Sequence, residues 1–168
     1  MAATSERPAP PRLTLRAASP AKTRSDVVVI GMVSGAKQAE AAPGAEDVVA
    51  AYGRRFRPIL AALGCTGKAG EITVVPTGGT LAAPVLILAG LGAEATRESL
   101  RKAAGNAARS VKNAASVALA LPCTTPDEVA AIVEGWSLGG YGFHGYKSSA
   151  PPERPATVAV LTPNARSA

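Results

Sequence analysis

Short apolar runs rich in β-branched residues, set apart by stretches whose apolar residues recur every three or four positions, leave this chain few folds to choose from. Asp26-Val27-Val28-Val29-Ile30 is continuously apolar after its first residue, as in a strand covered on both faces, which makes it central in its sheet. Ser116 to Leu121 reads as a second buried strand and Thr157 to Leu161 as the last one. Gly70 to Val75 and Val85 to Ala89 are further strands. The turn-forming Thr77-Gly78-Gly79-Thr80 between them predicts a hairpin-like pair or two neighbours in the sheet. Arg12-Leu13-Thr14-Leu15-Arg16 instead alternates with period two, which predicts an edge strand with one face buried.

Three segments switch to the helical period. Val48, Val49, Tyr52, Phe56, Ile59, Leu60 and Leu63 form one stripe, with Glu46 and Asp47 where the positive end of a helix dipole favours them. Pro58 falls inside this stripe, so the helix kinks or restarts there. Thr96 caps a second helix with the mostly alanine stripe Leu100, Ala103, Ala104, Ala107, Ala108 and Val111, and Glu98 stands four residues before Lys102. Thr125-Pro126-Asp127-Glu128 combines a capping box with proline at the first helical position, and the core face that follows is Val129, Ile132, Val133 and Trp136.

The predicted order, β-β-α-β-β-α-β-α-β, is that of an α/β fold with a mixed, mostly parallel sheet and helices on both faces. A length of 168 residues is enough for one well-buried core. Hydrophobic residues make up 47% of the chain but aromatics only 4%, so the core is expected to consist of Val, Ile, Leu and Ala. Met1 to Pro11, with several prolines and no periodicity, is expected to be disordered, and Pro20 to Ser25 to be a polar connection.

The net charge of +6 points at first to an acidic partner such as nucleic acid or an anionic membrane. Its distribution weakens that reading. Before Asp26, Arg7, Arg12, Arg16, Lys22 and Arg24 face Glu6 alone, so this segment holds +4 and the body is nearly neutral. No apolar run has the length of a membrane span or a signal peptide, and Cys65 and Cys123 lack any metal-binding or redox spacing. The sequence thus reads as a soluble cytoplasmic protein with reduced, structural cysteines.

Candidate chemistry is sparse. His144 is the sole histidine, in the expected loop Gly142 to Tyr146, which excludes a multi-histidine metal site. Gly90-Leu91-Gly92-Ala93-Glu94-Ala95 matches the dinucleotide fingerprint between a strand and a helix, but the next strand ends at Leu121-Pro122-Cys123-Thr124 without an acid for the ribose. Gly64-Cys65-Thr66-Gly67-Lys68-Ala69 resembles part of a phosphate loop, yet Ala69 stands where Ser or Thr is required and a strand follows. Arg54, Arg55 and Arg57 read as a solvated helix face. Asp127 and Glu128 are accounted for by capping, Glu98 by its lysine and Glu134 by solvent, so no catalytic, cofactor-binding or metal-binding residue is assigned on this chain.

Four stretches, in order, resemble the amino-terminal domain of the leucyl aminopeptidase (cytosol aminopeptidase) family. They are Thr66 to Glu71 before a strand; Val85 to Gly92 running into Glu98 to Gly105; Ser116 to Pro122; and Val133 to Tyr141 leading to Tyr146-Lys147-Ser148. The resemblance implies a macrodomain-like domain over residues 12–162, after a tail of residues 1–11 and before a linker beginning at residues 163–168. It further implies a carboxy-terminal catalytic domain as partner, a cytoplasmic homohexamer, and peptide substrates trimmed from their amino termini. The two divalent metal ions of that hydrolase, manganese or zinc, would sit in the catalytic domain, whose ligands and signature this chain lacks. The amino-terminal domain would support assembly and active-site access. The alternatives are a macrodomain-like binder of nucleotide or ADP-ribose and a DNA-binding accessory module using the basic tail.

Overall fold

The computed structural model describes residues 10–141 and 154–165. Along the chain it contains β1 (Arg12–Arg16), β2 (Val27–Ser34), β3 (Ala39–Ala41), α1 (Glu46–Tyr52), a 3-10 turn (Gly53–Arg55) and α2 (Phe56–Ala62). There follow β4 (Ile72–Pro76), β5 (Val85–Gly92), α3 (Arg97–Ser110), β6 (Ser116–Ala120), α4 (Pro126–Gly139) and β7 (Thr157–Leu161). The sequence reading missed β3, a three-residue strand without an apolar run of its own, and the 3-10 turn that separates α1 from α2.

The seven strands form one sheet in the order β1-β7-β6-β2-β5-β4, with β3 paired to β2. All pairs along this order are parallel except β4 with β5, which are antiparallel neighbours. β6 pairs with β2 from Val27 to Ile30, and β3 takes its place, antiparallel, from Met32 to Ser34. β2 therefore has partners on both sides over nearly its whole length, as its continuous apolar run requires.

Side-chain alternation along β2 divides the interior into two cores. Val27 and Val29 join Ile87, Ala89, Val117 and Leu119 beneath α3 and α4, where Leu100, Ile132 and Trp136 complete the packing. Val28, Ile30 and Met32 point the other way, toward Val48, Tyr52, Phe56 and Leu60 of α1 and α2. Helices thus cover both faces. Each fully buried Leu, Ile or Val removes enough apolar surface from water to contribute about 1.5–3 kcal/mol, so both layers are needed.

The first helical stripe is broken at Gly53, whose φ of 55° leaves the helical region. Pro58 falls in the first turn of α2, where its missing N–H removes no intrahelical bond. Leu63, counted in the stripe, lies past the helix end and is 45% exposed. α3 and α4 cross almost backbone to backbone: a Cβ on Gly135 would stand 2.0 Å from the Arg101 carbonyl oxygen, and one on Gly139 2.2 Å from that of Gly105.

Candidate functional site

The two glycine-rich segments singled out in the sequence lie against each other at the carboxyl end of β5. The Gly90 N–H donates to the Glu71 carbonyl at 2.8 Å, the Gly92 N–H to the Gly67 carbonyl at 2.9 Å, and the Gly70 N–H to the Gly90 carbonyl at 3.1 Å. Gly90 and Gly92 belong to β5, not to a turn between strand and helix. A Cβ on Gly90 would come within 1.9 Å of the Lys68 carbonyl oxygen, and one on Gly67 within 2.5 Å of the Val33 carbonyl oxygen. The Glu71 carboxylate holds the loop's fold by accepting from the Thr66 N–H at 3.0 Å and from its hydroxyl at 3.0 Å.

This geometry explains the fingerprint without a nucleotide. A dinucleotide site needs glycine N–H groups free to meet a pyrophosphate. Here those of Gly90 and Gly92 are spent on the chain's own loop, and the space over them is filled by the Lys68 backbone and by Ala69. The start of α3 is closed as well: the Thr96 hydroxyl accepts from the Ser99 N–H at 3.2 Å, and the Ser99 hydroxyl accepts from the Thr96 N–H at 2.8 Å. In open α/β sheets, ligands bind outside the carboxyl ends of the strands. At that end of β2, a Cβ on Gly31 would meet Leu91 at 2.8 Å and both Ala42 and Pro122 at 3.1 Å.

The remaining candidates are scattered. Arg54, Arg55 and Arg57 are exposed on the 3-10 turn and α2. Arg54 and Arg57 line an open cleft of about 690 Å³ that Glu40 and Glu46 also line. Glu128 accepts from the N–H groups of Thr124 and Thr125 at 2.7 and 3.0 Å, which holds its carboxyl below the usual range. Glu98 pairs more closely with Arg101, at 2.8 Å, than with Lys102, at 3.5 Å, and the hydrogen bonding from Arg101 holds its pKa down at about 2. His144 lies outside the described residues. Cys65 and Cys123 are buried in the cores on opposite faces of the sheet, and burial pushes both thiols up. Among the described residues no three His, Cys, Asp or Glu side chains converge as a metal site. No described helix is long and apolar enough to cross a membrane.

Sequence reasoning found each glycine segment but not their contact. The signal available was the glycine spacing itself, which serves close backbone approach as well as phosphate binding.

A mixed, mostly parallel sheet of this order with helices on both faces is an α/β fold of macrodomain-like architecture. The macrodomain of Thermus aquaticus DarG superposes with a TM-score of 0.62 over 90% of this chain and 99% of its own, at 12% identity, a likeness of fold alone. A tomato leucine aminopeptidase mutant superposes with a TM-score of 0.75 over 95% of this chain and 34% of its own, at 18% identity. Residues 29–150 match the description "Cytosol aminopeptidase family, N-terminal domain", and the chain belongs to that family. The probable cytosol aminopeptidase of Streptomyces coelicolor is 40% identical over 158 residues, 90% of this chain and 31% of that protein. Its counterpart in Streptomyces griseus is 39% identical over 141 residues, 80% of this chain and 27% of that protein. The bottromycin maturation enzyme BotP, solved also in complex with Mn, is 27% identical with a TM-score of 0.56 over 84% of this chain and 28% of its own. The chain thus spans about a third of the length of these relatives.

Proposed function

We propose that the chain is the non-catalytic amino-terminal domain of a cytoplasmic, metal-dependent aminopeptidase, packing on a catalytic domain, supporting assembly of a homohexamer and restricting access to its active sites. The observation that carries this reading is the alignment, in which 90% of this chain corresponds to only 31% of an aminopeptidase. In this reading residues 12–162 are the domain, residues 1–11 a tail and residues 163–168 the start of a linker. Two divalent ions, manganese or zinc, would be held by the other domain, where such a pair activates water and polarises the scissile carbonyl. On this chain no step of that reaction is assigned to any residue.

The test is to read the encoding gene in frame beyond the codon for Ala168 and to assay the complete product on an aminoacyl p-nitroanilide, with and without chelator. Clustered Asp, Glu and Lys ligands together with chelator-sensitive release of the amino-terminal residue are expected. A complete product without them would overturn the reading. The nucleotide-binding alternative is weakened by the occupied N–H groups of Gly90 and Gly92. Calorimetric titration with ADP-ribose at millimolar concentration is expected to show no heat of binding.

A further inference from the structure

β1 and β7 extend the sheet beyond the layer of α1 and α2, and parallel register places Arg12, Thr14 and Arg16 on that uncovered face. Thr14 lies level with Ala159, and Ala159 with Ala118, so a row of small side chains crosses three strands. Arg12 and Arg16 stand on either side of this row, and the connection carrying Arg24 walls it opposite β1. Together they enclose a groove of about 440 Å³. Among the described residues no acidic side chain lines it. Asp26, the nearest acid in sequence, turns its carboxylate to the N–H groups of Ala115 and Ser116 at 2.8 and 2.9 Å. Among the described residues the ion pairs are those of Glu98, and none involves the three arginines.

We propose that this groove receives an acidic, extended segment of the part of the polypeptide that the relatives carry beyond this domain, an inference that rests on the reading of the chain as an amino-terminal domain. Charge complementarity identifies the occupant as acidic. The chain's own undescribed stretches carry Glu6 and Glu153 against Arg7, Lys147 and Arg166, a net charge of +1, so they offer no excess of acid. Proximity favours the remainder of the polypeptide, because the Thr162 N–H donates to the Arg16 carbonyl at 3.0 Å, so the chain leaves the sheet at the Arg16 end of the groove before Asn164 turns to the Thr124 carbonyl. Thr14 and Ala159, small and half-buried beside the fully buried Ala118, leave room for a backbone, while guanidinium groups on both sides offer planar, two-pronged donors to carboxylates.

The test uses the complete gene product carrying Arg16→Lys or Arg24→Lys, which keeps the charge and supplies an amine for zero-length carbodiimide coupling to carboxylates. Lys102 and Glu98, 3.5 Å apart, provide an internal control link. The expected result is a link from position 16 or 24 to an Asp or Glu beyond residue 168, lost in about 1 M salt, where charges are screened within about 3 Å. If the control link forms and positions 16 and 24 couple to nothing beyond residue 168, the proposal is overturned while the aminopeptidase reading stands. Binding of a labelled DNA oligonucleotide that is abolished by Arg16→Glu, with no protein link, assigns the groove to nucleic acid and also overturns it. A complete product without chelator-sensitive peptidase activity removes the occupant and the underlying reading together.

Discussion

Gly90 lies so close under the Lys68 carbonyl that a single added methyl carbon would stand 1.9 Å from its oxygen, while the Gly90 N–H bonds the Glu71 carbonyl only a few residues along the same loop. The contact is between two backbones, so no side-chain rotation relieves it. Gly90→Ala is expected to push the loop of residues 64–71 off β5 and to cost about 3 kcal/mol, the upper part of the range for overpacked cores. Urea unfolding of the variant beside the parent measures this. A loss below about 0.5 kcal/mol, typical of exposed sites, would mean that the loop is not held as described.

The crossing of α3 and α4 gives a paired prediction. Gly135→Ala drives a methyl into the Arg101 carbonyl and is expected to lower stability by about 2–4 kcal/mol, because two helices must separate. Gly140→Ala meets the Trp136 carbonyl oxygen at 3.2 Å and that of Ser137 at 3.9 Å in an ordinary right-handed conformation, and is expected to stay within about 1 kcal/mol of the parent. Equal thermal shifts for the two would contradict the close crossing.

Asp26 joins the starts of β2 and β6, accepting from the N–H groups of Ser116 and Ala115 and from the Ser116 hydroxyl. The Ser116 N–H foremost, with the Ser116 hydroxyl and the Ala115 N–H, lowers its pKa against a smaller opposing effect of burial. A carboxyl depressed in the folded state contributes stability that is complete above its unfolded pKa and lost as pH falls through the folded one. Asp26→Asn is therefore expected to cost about 1 kcal/mol near neutrality, the modest end for charged hydrogen bonds because solvent reaches the group. The gap to the parent should narrow as pH drops below about 4, where the unfolded carboxyl protonates. Denaturation midpoints across pH 2–7, roughly the carboxylate range, measure it, and a gap that widens toward acid has the wrong sign.

Thr125 and Glu128 cap α4 reciprocally, the hydroxyl accepting from the Glu128 N–H and the carboxylate from the Thr125 N–H. Thr125→Ala is expected to cost about 1 kcal/mol and Thr125→Ser to recover most of it. Equal stability of the alanine and serine variants would show that the cap contributes nothing.

Cys65 and Cys123, at 8% and 4% exposure and with thiols made harder to ionise by burial, are expected to resist a thiol reagent at pH 8 in the native state and to react readily in urea. Rapid modification of the native protein would mean that one of the cores opens easily.

Much of the fold was legible because its signals are local. Val27 to Ile30 reads as a central strand from composition alone, and Thr125-Pro126-Asp127-Glu128 marks a helix start within four residues. The failures share one cause. The stripe from Val48 to Leu63 satisfies the helical period whether the backbone is continuous or, as here, breaks at Gly53. β3 carries no run long enough to register. The Gly90 to Ala95 segment has the spacing of a phosphate site, and that spacing states only that a backbone must come close, not which one.

The sequence by itself determined the alternation of strands and helices, the central and edge roles of β2 and β1, and the caps of α3 and α4, because periodicity and capping act over a few residues. Only the tertiary structure decided that the backbone over Gly90 is the chain's own Lys68 and not a phosphate, and that Arg12, Arg16 and Arg24 border one groove. Those relationships join residues distant along the chain, and the register of β1 on β7 and of β5 on β4 that creates them is set by packing of the whole sheet between its two helical layers.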